Sequence, residues 1–68
     1  MEFADNAHII QFKNHYDVWV TDTVELAPAP AFRRASHILQ FDYDNVRVIT
    51  PDGVIIEDED IDMTGYIF

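Results

Sequence analysis

The sequence predicts a mainly β fold: a small antiparallel sheet of five or six strands, curled or barrel-like, in one domain over residues 1–68. Two observations support this prediction. Apolar and polar residues alternate in several short segments, and residues that favour tight turns lie between those segments. The alternative is an α+β fold with a helix across one face of a mixed sheet.

The second half of the chain predicts a three-stranded meander. Residues 37–43 alternate, Asp44-Asn45 suits a two-residue turn, and residues 46–50 follow as the next strand. Pro51-Asp52-Gly53 then predicts a turn before a strand over residues 54–57. The two turns place Arg47 between Asp42 and Glu57, on one face of the sheet. The opposite face would carry Leu39, Phe41, Tyr43, Val46, Val48, Val54 and Ile56.

The first half predicts another hairpin. Residues 8–12 and 16–20 alternate around a turn at residues 13–15, which would place Ile10 opposite Val18. Trp19 would then lie on the other face of this hairpin.

The segment between the two halves contains Pro28 and Pro30, which break a strand. The spacing of Phe32, Ala35 and Ile38 fits one short helical turn near residues 30–36. The apolar C-terminal segment 64–68 predicts a last strand, paired into the sheet or docked on a partner.

The chain is strongly acidic, with 13 acidic residues against four basic ones and a formal net charge of −9. Residues 35–68 hold eight of the acids and one of the bases, which gives this half a net charge of −7. Such a field repels nucleic acid and anionic membranes and attracts basic surfaces.

The run from Glu57 to Asp62 is the most unusual feature of the sequence. We predict that it forms a strand-borne row of carboxylates that meets lysine and arginine side chains, as the phosphates of a nucleic acid would. The alternatives are a solvated charge run or an edge strand protected against aggregation. The predicted partner-binding residues are Asp42, Asp44, Glu57, Asp58, Glu59, Asp60 and Asp62, with Trp19 or Tyr66 as an apolar anchor.

Catalytic and metal-binding patterns are not found in the sequence. There is no cysteine, no EF-hand calcium loop, no zinc-binding spacing of histidines and no phosphate-binding glycine loop. Ser36 is the only serine, and as a strand neighbour of His37 it would point to the opposite face. We therefore expect no enzymatic activity, no cofactor and no metal.

The functional hypothesis is a small acidic inhibitor that occupies a basic, nucleic-acid-binding surface of a larger protein by charge mimicry. Phage-encoded inhibitors of host defence, such as anti-CRISPR proteins, share this size and composition, although no sequence motif links them to this chain. The alternative is an assembly module that forms homo-oligomers or adds its C-terminal strand to a partner's sheet. Without an apolar membrane span or a signal-peptide pattern, the expected location is the cytoplasm, including a host's cytoplasm for a phage-encoded protein.

Overall fold

The computed structural model describes residues 6–64, with side chains as far as Ile61. It is an α+β fold in which a four-stranded antiparallel sheet packs against two helices. In chain order the elements are β1 (His8–Lys13), β2 (Trp19–Glu25), α1 (Pro28–Phe41), β3 (Val46–Ile49), β4 (Ile55–Glu57) and α2 (Asp58–Thr64). The sheet order is β2-β1-β3-β4, so β1 and β3 are the central strands.

The α+β alternative therefore describes the fold, and the predicted barrel-like sheet of five or six strands does not form. The sheet is open, with β2 and β4 at its edges within residues 6–64. The strand predicted at the C-terminus falls mainly on residues 65–68, which lie outside the described residues.

Helix α1 occupies the segment that was predicted to hold the first strand of the meander. The strand over residues 37–43 is wrong, and so is the hairpin turn at Asp44-Asn45, because the helix continues to Phe41. Apolar residues at positions 39, 41 and 43 mimic strand periodicity. The buried residues instead follow the helical spacing that the sequence shows from Ala31 to Ile38. The predicted helical turn at 30–36 is the middle of this longer helix.

The β3–β4 hairpin has the predicted register. Arg47 lies opposite Glu57 and Val48 lies opposite Ile56. The turn depends on Gly53, whose φ of +87° suits glycine, and whose backbone N–H donates to the carbonyl of Thr50 at 2.9 Å. Asp42 does not pair with Arg47, because it follows α1 and lies outside the sheet.

The β1–β2 hairpin forms, but its predicted register is wrong. Ile10 lies opposite Thr23, and the connecting loop covers residues 14–18. The Asn14 side-chain oxygen accepts the backbone N–H groups of Tyr16 and Val18, at 2.8 and 3.1 Å. This side-chain contact supports a longer loop than the three-residue turn that the sequence predicts.

The core lies between one face of the sheet and the two helices. Its buried side chains come from three sources and are Ile10, Val46 and Val48 of the sheet, Ala31, Phe32, Ala35 and Ile38 of α1, and Ile61 of α2. Both helices pack on the same face, so neither covers the other face of the sheet. Neither helix of the described residues is long and apolar enough to cross a membrane.

Candidate functional site

Three acidic segments meet at one end of the sheet. β1 ends where β3 begins, since Phe12 pairs with Val46, and β4 ends opposite the start of β3, since Glu57 pairs with Arg47. The β1–β2 loop, the connection from α1 to β3 and the β4–α2 junction therefore lie side by side. We call this end the acidic pole; its carboxylates in the described residues are Asp17, Asp42, Asp44, Glu57, Asp58, Glu59 and Asp60.

Direct contacts hold two of these segments together. The backbone N–H of Lys13 donates to the carbonyl of Asn45 at 2.9 Å. The rings of Phe12 and Tyr43 stack with their centroids 4.2 Å apart, and His15 lies 6.0 Å from Tyr43. These contacts hold the backbone of the α1–β3 connection beside the β1–β2 loop, and the side chains of Asp42 and Asp44 are exposed there.

The acidic run forms the first turn of a helix, and the predicted strand-borne row of carboxylates is wrong. Asp58, Glu59 and Asp60 lie in the first turn of α2, where the partial positive charge of the helix N-terminus favours acidic side chains. Ile61 is fully buried against α1 and the sheet. The helix is thus fixed by its apolar residue, and Glu59 and Asp60 remain exposed to solvent.

Two bases on the sheet are engaged with Trp19. The Arg47 guanidinium carbon lies 4.1 Å from the Trp19 ring centroid and the Lys13 ammonium 5.3 Å from it, which is within cation–π range. Arg47 also donates through Nε to the side-chain oxygen of Gln11 at 2.8 Å.

The other two bases lie in the N-terminal half of α1. Arg34 makes a two-pronged ion pair with Asp22, at 2.8 and 3.1 Å, and this hydrogen bond and the charge of Asp22 raise the pKa of Arg34 above its usual value. Arg33 is exposed on the same helix. Most acids of the described residues therefore lie at one end of the strands, and Lys13 and Arg47, which border this end, offset part of their charge.

The predicted site residues divide into three groups. Asp42, Asp44 and the four acids from Glu57 to Asp60 share the acidic pole. The side chain of Asp62 and the whole of Tyr66 lie outside the described residues. Trp19 lies on the uncovered sheet face with Ile9 and Gln11, as the sequence predicts, and this face is distinct from the acidic loops.

Three further residues at the acidic pole were not predicted as site residues. Asp17 has a φ of +61° at the loop tip, and Tyr16 and Phe41 are 85% and 71% exposed. The sequence analysis placed Phe41 on one face of the predicted meander, and Tyr16 falls in the strand predicted over residues 16–20. The Asn14-His15-Tyr16-Asp17 stretch carries a signal for the longer loop, since Asn and Asp both tolerate turn conformations.

The described residues enclose no cavity, and they bring together no group of three or more histidine or acidic side chains arranged to hold a metal ion. Ser36 and His37 are neighbours on α1, not on a strand, so the predicted reason for their separation is wrong. Ser36 accepts a hydrogen bond from the Gln40 side chain at 3.3 Å. Residues adjacent along a helix also point in different directions.

Comparison with protein-family models, with curated proteins and with solved structures finds no match to this chain.

Proposed function

We propose that this chain is a non-enzymatic binding protein whose acidic pole occupies a basic, nucleic-acid-binding surface of a larger protein. The observation that supports the proposal most strongly is the convergence of three acidic segments at one end of the sheet. Charges that are separate in the sequence thereby form one surface, which a lysine- and arginine-rich partner would contact as a unit.

The carboxylates of the acidic pole lie across the ends of neighbouring strands, whereas the sequence predicts a row along one strand. The acidic segments follow one another across the strand ends, and neighbouring strands are about 4.8 Å apart. Duplex DNA carries a negative charge about every 1.7 Å of its axis. A row of carboxylates on adjacent strand ends, with one in the β1–β2 loop, two in the α1–β3 connection and four at the β4–α2 junction, approaches that density more closely than alternate residues of a single strand.

Exposed aromatic side chains add an apolar component to this surface. Tyr16 and Phe41 project from two of the segments that form the acidic pole. Aromatic residues surrounded by polar ones are common anchors in protein–protein interfaces. We therefore expect the partner to combine basic side chains with an apolar contact, a combination that distinguishes a protein surface from a simple polycation.

The test compares two variants that remove the same charge from opposite ends of the molecule. The pole variant is Asp44→Asn with Glu59→Gln, and the matched control is Glu25→Gln with Asp52→Asn. The readout is displacement of a fluorescent DNA duplex from a lysine-rich histone, followed by anisotropy. We expect the pole variant to need about tenfold more protein for half displacement, and the control to stay within about twofold of the parent chain.

Salt provides the second readout. Displacement by the parent chain should weaken between low and physiological ionic strength, because electrostatic attraction is screened over about 8 Å at the latter. Equal losses for the two variants would show that only net charge matters, and would rule out the acidic pole as the binding site.

A further inference from the structure

Two of the chain's four basic side chains meet on one tryptophan ring of the uncovered sheet face. Lys13 lies opposite Trp19 where β1 and β2 meet their connecting loop, and Arg47 of β3 reaches the same ring across β1. All three side chains are partly exposed to solvent. We call Trp19, Lys13 and Arg47 the tryptophan cluster. It concentrates positive charge at one place on a chain whose formal net charge is −9.

The guanidinium group of Arg47 is held on two sides. Its carbon lies 4.1 Å from the centroid of the Trp19 ring, and its Nε donates to the side-chain oxygen of Gln11 at 2.8 Å. The side-chain nitrogen of Gln11 in turn donates to the hydroxyl of Thr21 at 3.1 Å, which fixes the orientation of the Gln11 amide. Because these contacts already restrict the Arg47 side chain, a ligand of its guanidinium group would cost little further side-chain entropy.

The two terminal nitrogens of Arg47 have no acceptor among the described residues, where its hydrogen bond is made through Nε. Glu57 lies opposite Arg47 in the strand register and is exposed, yet the two form no ion pair. Lys13 also contacts the ring and no described carboxylate. Arg34, by contrast, is paired with Asp22. Neutralisation by an ion pair within the described chain therefore explains Arg34 but not the tryptophan cluster.

We propose that the tryptophan cluster binds one carboxylate of the partner, an aspartate or glutamate side chain beside the partner's basic surface. The terminal nitrogens of a guanidinium group present two parallel N–H donors, which match the two oxygens of a carboxylate. Lys13 adds a second positive charge on the same ring. This inference rests on the proposed function, because it names a second contact of the same interface.

The tryptophan cluster borders the acidic pole. The backbone N–H of Lys13 donates to the carbonyl of Asn45 at 2.9 Å, and Arg47 lies one residue beyond the pairing of Val46 with Phe12. A partner whose basic side chains cover the acidic pole would therefore also cover the cluster. A uniformly basic partner would place like charges against Lys13 and Arg47, which opposes binding, whereas a carboxylate at that position is attracted.

The net charge favours a carboxylate of a basic protein over a nucleic acid as the ligand. A field of charge −9 repels a polyanion, and each additional phosphate adds to the repulsion. It also disfavours a small anion that arrives by itself. A single carboxylate on an otherwise basic surface is brought to the cluster by the attraction between that surface and the acidic pole. The cluster would thus fix the orientation of the partner and select partners of mixed charge.

The experiment compares two peptides that differ in one carboxylate. Each contains ten lysines, with a glutamate at the centre of one peptide and a glutamine at the centre of the other. Binding to the full chain is followed at low ionic strength by the fluorescence of Trp19, the chain's one tryptophan. We expect the glutamate peptide to bind about threefold more tightly, although its net positive charge is lower by one.

The test variant is Arg47→Lys, which keeps the positive charge and removes the planar pair of donors. Arg33→Lys is the matched control, because it makes the same change on α1, away from the tryptophan cluster. We expect Arg47→Lys to abolish the preference for the glutamate peptide and Arg33→Lys to retain it within about 1.5-fold. An undiminished preference in Arg47→Lys would overturn the assignment of the carboxylate to Arg47.

The peptides also separate this inference from the proposed function. If both peptides bind and the parent chain prefers glutamine, the cluster does not bind a carboxylate, and the acidic pole remains the proposed site. If neither peptide binds, the proposed function fails and this inference fails with it. A preference for glutamate that appears only in Glu57→Gln would show that the chain's own carboxylate fills the cluster, which also overturns the inference.

Discussion

At the residue scale, Asp22 illustrates how a local irregularity positions a charged side chain. The β1–β2 register shifts between Ile10 and Gln11, so that Thr23 and Thr21 have partners and Asp22 lies between them. Such a bulge re-aims a side chain, and here Asp22 meets Arg34 of α1 in a two-pronged ion pair. The pair attaches the helix to an edge strand.

A double-mutant cycle measures this pair. Asp22→Asn, Arg34→Gln and the double variant should give a small favourable coupling energy in urea unfolding, because solvent screens an exposed ion pair without removing the effect of its two-pronged geometry. The two-pronged geometry and the 18% exposure of the Asp22 side chain favour a measurable value, while the 41% exposure of Arg34 limits it. A coupling energy indistinguishable from zero would mean that the ion pair is not maintained in solution.

The sequence predicts residue pairs where a turn fixes the register. Arg47 and Glu57 are paired as predicted, because Pro51-Asp52-Gly53 leaves one favourable connection. The predicted pairing of Ile10 with Val18 is wrong, because the loop at residues 14–18 is longer than predicted. The Asn14 side chain stabilises this loop, and strand alternation does not reveal that contact. The exposure of Tyr16 follows from that same loop and was missed for the same reason.

At the element scale, the two helices show why short segments are difficult to assign. Residues 37–43 satisfy both a two-residue and a 3.6-residue period over their short length, and tertiary packing of Ile38 decides in favour of the helix. The acidic run over residues 57–62 contains one apolar residue, Ile61, so its sequence shows neither strand nor helix periodicity. Among the described side chains of α2, Ile61 is buried in the core and three acids occupy the first turn.

Burial of Ile61 should contribute measurably to the stability of the protein, although α2 is short. Ile61→Val should lower the free energy of unfolding by about 0.5–1.5 kcal/mol, because it removes a methyl group from a fully buried site. Ile55→Val is the matched control at a partly exposed site, with an expected change below about 0.5 kcal/mol. Urea unfolding measures both changes, and equal losses at the two sites would contradict the packing of α2.

At the scale of the whole molecule, the fold determines where the acidic residues lie, whereas the sequence shows only that most of them belong to the second half of the chain. Most carboxylates of the acidic pole belong to the second half of the chain, and Asp17 comes from the first half. Asp52, although it belongs to the second half, lies in the β3–β4 turn at the opposite end of the sheet. Most of these carboxylates could be predicted from the sequence. Their meeting at one end of the sheet could not, because it depends on the pairing of β3 with β1, and α1 separates these strands along the chain.

The central claim, that the acidic pole is the binding surface, is tested most directly by an NMR titration. The ¹⁵N-labelled chain is titrated with a lysine decapeptide at low ionic strength, and amide shift changes are mapped onto the fold. We predict that the largest changes fall in residues 14–18, 42–45 and 57–60, and that residues near Glu25 and Asp52 change little. Changes spread evenly over all the carboxylates, or largest at Glu25 and Asp52, would contradict the account.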